Sequence, residues 1–335
     1  MRVTVIGAGI AGLTCALERA ERGASVELLE RAPELAAAGC SGFAGGMLAP
    51  WCERENSAPL IAALGAESLA WWRARFPGTV VNGTLVVAHA RDTGELLQFA
   101  RRTAQFESVS GETIAALEPD LAGRFSQGLY FAEEGHLDPR AALASLAADL
   151  AERGVPIRFG VDAAARPGPG ARLDCTGLAA RERLTDLRGV KGEMLLLRLP
   201  ELTLRRPVRV LHPRLPLYVV PRGAGLFMVG ATMIESDEGT RISARSMLEL
   251  LSAAYALHPA FGEAQIIEIG TGVRAAFPDN LPRLRHAGGA LHVNGLYRHG
   301  FLLAPALARR AADVLLEGRH DPEVMDEDPG ERRLA

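Results

Sequence analysis

The chain has 335 residues, 48% of them hydrophobic and 23% charged. That balance excludes a disordered or collagen-like chain, and the length suits two domains with cores large enough to need no staples. A formal net charge of −3 gives no general electrostatic footprint for nucleic acid or for a membrane surface.

Arg2–Ile6 reads as a short buried parallel strand. Gly7-Ala-Gly-Ile-Ala-Gly12 follows at once, then Leu13, Ala16, Leu17 and Ala20 at helical spacing up to Gly23. A second strand, Val26–Leu29, ends in Glu30. Residues 57–75 read as a helix capped by Ser57, and Thr79–Val87 as strands about an Asn82-Gly83 turn. Amphipathic helices fall near 92–104 and 110–118, and Leu129–Phe131 is strand-like. Asp138 and Pro139 open a helix that Gly154 ends, and Val155–Phe159 is again a strand. Arg166–Gly170 is a turn, and Leu173 begins a strand. Met194–Leu199, Val208–Leu211, Leu217–Val220, Leu226–Val229 and Ile266–Ile269 read as strands, interrupted by a helix over Ser243–Leu257. Ala290–Val293 is a strand and Leu303–Leu316 a helix stopped by Gly318. The tail after His320 is charged and expected to fray.

The pattern predicts an α/β fold. A discontinuous Rossmann-type domain (1–78, 135–190 and 270–325) receives an inserted antiparallel β-rich (α+β) domain (79–134 and 191–269). Cys15, Cys40, Cys52 and Cys175 are scattered without a C-x-x-C pair, so neither a zinc site nor a disulfide framework is expected. No run of eighteen apolar residues and no basic-then-apolar leader stands in the sequence, and a cytoplasmic protein is the expectation.

The glycine turn has the full context of a dinucleotide site: a strand before it, a helix after it, and Glu30 at the end of the next strand. Gly7 makes the turn, Gly9 lets backbone approach a pyrophosphate, and Gly12 lets helix pack on strand. The helix N-terminus at Ile10 and Ala11 favours negative charge. A carboxylate at Glu30 suits two ribose hydroxyls and repels a 2′-phosphate. This unit does not choose between FAD and NAD. Three further segments favour FAD. Ser41-Gly-Phe-Ala-Gly-Gly-Met-Leu48 is small enough to pack on a flat ring. Leu173-Asp-Cys-Thr-Gly177 is a strand ending in a second close crossing. Asn294–Pro305 enters the last helix, whose N-terminus can stabilise negative charge on a reduced ring.

Several motifs now coincide: Val5-Ile-Gly-Ala-Gly-Ile-Ala-Gly12, Asp174-Cys-Thr-Gly177, Val190-Lys-Gly-Glu193, Tyr218-Val-Val-Pro-Arg222, Val229-Gly-Ala-Thr-Met233, Gly272-Val-Arg274 and Tyr297-Arg-His-Gly-Phe-Leu-Leu-Ala-Pro305. With them the chain resembles the FAD-dependent oxidases of the D-amino-acid oxidase family, and most of all its glycine oxidase branch. It departs in a short 159–173 segment and in Ala308, where a glycine is common. The resemblance implies non-covalent FAD held by Gly7, Gly9, Ile10, Ala11, Gly12, Glu30, Arg31, Ser41, Ala44, Gly45, Gly46, Met47, Val161, Cys175, Thr176, Gly177, Arg274, Tyr297, Arg298, His299, Gly300, Phe301 and Leu302. It implies oxidation of glycine or a similar small amine to the imine, with hydride passing to the flavin and O2 reoxidising it to hydrogen peroxide. Homo-oligomerisation and hand-off of the imine to a thiazole synthase belong to the same expectation.

Of 37 cationic residues only Lys191 is a lysine, which leaves 36 arginines and fits a GC-rich codon bias. A carboxylate substrate nevertheless needs a planar bidentate cation. By resemblance Arg274 takes that role, with Tyr218 and Arg298 beside it as catalytic residues. Met233 and His299 line the pocket, His299 as a positioning or structural group rather than a base. Lys191 reads as structural. A nicotinamide-dependent dehydrogenase and a redox-silent flavoprotein are the competing readings.

Overall fold

The structure, a computed structural model, describes residues 1–37, 39–163, 170–212 and 216–326. Strand β1 (Arg2–Ile6) feeds helix α1 (Ile10–Glu21), and Gly23 at φ 78° turns the chain into β2 (Ser25–Leu29). Strand β3 (Met47–Leu48) and helix α2 (Pro59–Arg75) follow. The N-cap position falls at Ala58, one residue after the expected Ser57. The proline ring presets the first helical turn at Pro59, and Ala58 occupies the cap position without a side-chain bond. The expected pair of strands about Asn82-Gly83 is one strand, β4 (Thr84–Ala88), buried along its whole length as a central strand is. The arm before it makes a single bridge, Val80 to His136.

Helix α3 (Thr93–Arg102), β5 (Glu107–Ser110), α4 (Gly111–Leu117), β6 (Gln127–Phe131) and β7 (Gly135–His136) come next. Then follow α5 (Pro139–Glu152), β8 (Ile157–Arg158) and β9 (Ala171–Asp174). The turn expected at Arg166–Gly170 lies, except for Gly170, outside the described residues. Five strands succeed one another: β10 (Arg188–Arg198), β11 (Val208–Leu211), β12 (Leu217–Pro221), β13 (Leu226–Gly230) and β14 (Ile234–Glu235). Helix α6 (Ala244–Leu257), β15 (Gln265–Ala276), β16 (Arg283–Ala287), β17 (Ala290–Asn294) and α7 (Gly300–Glu317) complete the order. Ser243 caps α6 by accepting the Ser246 N–H at 3.1 Å.

Two compact units result. The first comprises Met1–Gly42, Arg140–Val190 and Val273–Ala335, and the second Phe43–Pro139 and Lys191–Gly272. The first boundaries therefore fall after 42 and 139, where the sequence reading puts them at 78 and 134. Backbone pairing explains the shift. Met47 of β3 pairs with His136 of β7, and the buried Glu134 carboxyl group accepts the Trp51 and Cys52 N–H groups at 2.9 and 2.7 Å. Residues 43–56 are thus tied into the second unit.

The first unit carries a six-stranded sheet in the order β16-β17-β9-β1-β2-β8. All neighbours are parallel except β16, which runs antiparallel to β17. Helices α1 and α7 pack together, Leu13, Leu17, Leu303 and Leu307 are buried, and the buried Arg19 guanidinium donates to the Ala311 and Ala312 carbonyls. The expected fraying after His320 is not seen through Asp326. Val324 is buried, its carbonyl accepts the Leu284 N–H at 2.7 Å, and Asp326 pairs with Arg283 and Arg285. Residues 327–335 lie outside the described residues.

The second unit carries a nine-stranded mixed sheet, β14-β10-β13-β12-β11-β4-β6-β5, with β15 also on β10. Within it β11 pairs with β4 in parallel. Leu195, Leu197, Val219, Phe227, Leu250 and Phe261 form its core, where the apolar face of α6 closes on the sheet. Among the described residues no helix is long and apolar enough to cross a membrane.

Candidate active site

In the first unit the loop after β1 is built by backbone contacts. Gly7 adopts φ 97° and its N–H donates to the Leu29 carbonyl at 2.8 Å. A Cβ on Gly7 would lie 2.9 Å from the Cys175 carbonyl oxygen, and one on Gly12 would lie 1.7 Å from the Gly7 carbonyl oxygen. Protein packing alone therefore demands both glycines. Gly9 differs, because its Cβ would meet only the Ser41 Oγ, at 3.2 Å. Its lack of a side chain leaves room for a group from outside the protein, as a pyrophosphate requires. Gly9 caps α1 without a side-chain bond, and Ser41 accepts the Ile10 N–H at 3.2 Å.

Glu30 stands at the end of β2. Its two oxygens accept the Ala8 and Ala32 N–H groups at 2.6 and 2.8 Å. Each oxygen retains capacity for another donor, and the carboxylate is fixed by the two it already accepts. Val161 donates to the Glu30 carbonyl at 2.9 Å, while Arg31 is exposed.

The Asp174-Cys-Thr-Gly177 turn is locked from inside. Asp174 Oδ1 accepts the Thr176 N–H at 3.0 Å and its hydroxyl at 2.6 Å. Gly177 adopts φ 59°, and its carbonyl accepts the Asn294 amide at 2.9 Å. The carboxyl ends of β1, β9 and β17 thus share one edge, the place where open parallel sheets bind ligands. Helix α7 starts there too. A Cβ on Gly300 would lie 3.3 Å from Ile10 Cγ2, so the α7 N-terminus stands beside that of α1. Two helix N-termini with no side-chain bond from their own cap residues, a carboxylate on the ribose side and a space at Gly9 fit an FAD pyrophosphate and ribose.

Arg274 is half-buried on β15, and its charge opposes the burial that pushes the Cys40 thiol up. Tyr297, at φ 49°, donates its N–H to the carbonyl of Ala275, the next residue after Arg274. The Tyr297-Arg298-His299 turn is thereby fixed against that strand. The Tyr297 and His299 rings meet edge-on at 6.2 Å, Arg298 is half-buried, and His299, Phe301 and Leu302 are buried.

The second unit places Tyr218 half-buried on β12, with its ring close to Gly45. A Cβ there would lie 2.8 Å from Tyr218 Cε2 and 3.2 Å from its hydroxyl oxygen. Phe43 and Met47 join Met194, Val220 and Met228 in an apolar cluster around that ring. Ala44 and Gly46 complete the loop, and Gly46 takes φ 68°. Met233 is 50% exposed. Lys191 is buried, donating to the Arg241 carbonyl and pairing with Glu193 at 2.9 Å, which is a structural role. Sequence reading gave Arg222 and Asp174 no role, although both stand in its motifs. Here both tie down loops that carry candidate residues.

A profile of the family described as FAD dependent oxidoreductase matches residues 2–314. The chain belongs to the FAD dependent oxidoreductase family. It is 56% identical over 324 residues to a Rhizobium etli protein named as a thiamine biosynthesis oxidoreductase, ThiO, covering 96% of this chain and 99% of that one. It is 28% identical over 357 residues to the Nostoc bifunctional protein ThiO/ThiG, of whose length it spans 53%. Among solved structures, glycine oxidase from Bacillus cereus superposes with a TM-score of 0.81 at 22% identity, over 98% of this chain and 99% of that one. FAD is therefore the family's cofactor, and the fold is shared with these oxidases.

Proposed function

We propose that the protein is an FAD-dependent oxidase of glycine or a closely similar small amino acid, which supplies an imine for thiamine thiazole synthesis. The observation that carries this reading is the 56% identity, nearly end to end, to a relative named for thiamine biosynthesis. Glycine oxidases of Geobacillus kaustophilus (26% identical over 356 residues) and Pseudomonas aeruginosa (28% identical over 355 residues) support the substrate class.

In this reading the first unit holds FAD non-covalently. The Gly7–Gly12 loop, Ser41 and the α1 N-terminus take the pyrophosphate, and Glu30 takes a ribose. Val161, Cys175, Thr176, Gly177 and residues 297–302 are further proposed FAD contacts, and so is the loop of Ala44, Gly45, Gly46 and Met47. Arg31 contributes at the exposed adenosine side. FAD, when bound, would supply the acceptor for the two electrons removed with the substrate α-hydrogen, O2 being the final acceptor that leaves as hydrogen peroxide. Arg274 binds the substrate carboxylate through its planar fork, Tyr218 donates its hydroxyl to the same carboxylate, and Arg298 holds the turn that closes the pocket. His299 and Met233 shape the pocket wall. The bifunctional ThiO/ThiG relatives support a hand-off of the imine to a thiazole synthase. A homo-oligomer in the cytoplasm completes the proposal.

Peroxide release screened over glycine, sarcosine, D-alanine and D-proline tests the substrate. Glycine should give the largest kcat/KM. Absence of peroxide and of anaerobic flavin bleaching with all four would reject the oxidase reading. Arg274→Ala should weaken substrate by about 2–4 kcal/mol, as for one partner of a lost charge pair, while FAD stays bound. An unchanged KM in that variant would remove the carboxylate role.

A further inference from the structure

Arg222 is the last residue of the Tyr218-Val-Val-Pro-Arg motif, and its side chain is only 5% exposed. Both terminal nitrogens of its guanidinium donate to backbone carbonyls. Nη1 donates to the Leu137 carbonyl at 2.8 Å, and Nη2 to the carbonyls of Ala44 and Gly45 at 3.2 and 2.8 Å. Nε lies 3.7 Å from Asp138 Oδ2. The next carbonyl in the loop, that of Gly46, accepts the Leu137 N–H at 2.9 Å. Three consecutive carbonyls, from Ala44 to Gly46, are therefore held by the Arg222–Leu137 side.

That pattern has a geometric consequence. In a trans peptide the C=O of one residue and the N–H of the next point in opposite directions across one plane. Fixing the carbonyls of Ala44, Gly45 and Gly46 therefore turns the N–H groups of Gly45, Gly46 and Met47 away from the arginine. A cation bonded to a carbonyl also polarises its amide and strengthens the N–H at the other end. The Tyr218 ring, close against Gly45, leaves the loop little freedom to rotate out of this arrangement.

We infer that Arg222 is a positioning residue that acts through the backbone. It orients and polarises the Gly45–Met47 amides as a donor row for an acceptor-rich, planar ligand. This rests on the reading above that this loop meets the flavin ring, whose heteroatoms gain negative charge on reduction. A donor row of this kind favours the charged form, and so sets how readily the flavin takes up electrons or adds an anion.

The test reads the flavin rather than turnover. Arg222→Met and Arg222→Lys are prepared as holoproteins, and sulfite binding to the oxidised flavin is followed in the visible spectrum alongside FAD affinity of the apoproteins. Arg222→Met should raise the sulfite dissociation constant about tenfold or more, the equivalent of one charge-assisted hydrogen bond. The flavin midpoint potential should fall with it. Arg222→Lys keeps the charge but cannot reach three carbonyls, so it should lie between, and it keeps the test readable where Arg222→Met fails to fold. Sulfite affinity and potential unchanged in folded, FAD-loaded variants would overturn the inference. Because sulfite replaces the amino acid, a wrong substrate assignment leaves this result intact.

Discussion

Gly9→Ala separates what the protein needs from what a ligand needs. Gly9 has φ −74° and ψ −178°, which alanine adopts freely. Its Cβ would meet one protein atom within 4 Å, the Ser41 Oγ at 3.2 Å, and a serine side chain can yield by a few tenths of an ångström. Replacing glycine by alanine at a helix N-cap costs under about 1 kcal/mol. The apoprotein should therefore melt close to wild type. The bound state is another matter, because the methyl enters the space proposed for the pyrophosphate. An added methyl in a filled site costs about 1–3 kcal/mol, so FAD affinity should drop about 5- to 150-fold. Thermal unfolding of the apoprotein gives the first quantity, and titration with FAD by flavin fluorescence quenching gives the second. Wild-type FAD affinity in a stable Gly9→Ala protein would refute the placement of the phosphates at this loop.

Gly12→Ala should behave in the opposite way, because its Cβ would fall 1.7 Å from the backbone oxygen of Gly7 and no side chain can yield. It should destabilise the apoprotein by about 3 kcal/mol or more, visible in urea unfolding. Burial raises the Glu134 carboxyl to about 8 from 4.5, so the folded state holds a proton that the unfolded state releases between those values. Stability should be fully present below pH 4.5 and fall by about 1.4 kcal/mol per unit as pH rises towards 8; Glu134→Gln should flatten that slope in thermal melts. Arg206, 9% exposed, donates to Glu118 at 2.8 Å, and Arg206→Met should cost about 3–5 kcal/mol by leaving that carboxylate buried alone. Adding Glu118→Gln should recover part of the loss, and a double variant no better than the single one would argue against the pair.

The first unit was legible in the sequence because its signals are local. A β-branched strand, glycines at fixed spacing and an acidic strand end all lie within thirty residues, and the structure places Gly7, Gly12 and Glu30 in contacts that suit those roles. The second unit was legible strand by strand but not in its boundaries. What draws residues 43–56 into it are the β3–β7 pairing and the Glu134 carboxyl group, both more than eighty residues distant in sequence. A two-residue strand has no period to detect. Asn82-Gly83 misled for a related reason: it is a strong hairpin signal, yet the segment before it pairs with His136 rather than with β4. The tail after His320 looked solvated because its charges dominate, while one apolar residue, Val324, docks on β16.

The same contrast bears on the arginines. A codon bias that supplies arginine in place of lysine explains a surface rich in guanidinium groups, where the two cations are nearly equivalent. It does not explain Arg19, Arg206, Arg209 and Arg222, which are buried or nearly so. Arg19 reaches two carbonyls of α7, Arg206 reaches Glu118 and the carbonyls of Asn82 and Leu117, and Arg222 reaches three carbonyls. Arg209 pairs with Glu55 at 2.8 Å. Each of these sites uses several donors in a fixed plane, which an ammonium on a flexible stem cannot supply. The one buried lysine, Lys191, meets the complementary condition: a carboxylate and a single carbonyl around a point charge. Acceptor geometry, rather than genome composition, therefore decides the identity of the interior cations. By that criterion Arg274→Lys and Arg298→Lys distinguish the two proposed substrate-side roles: a bidentate carboxylate clamp should fail with lysine, and a turn-holding cation should tolerate it.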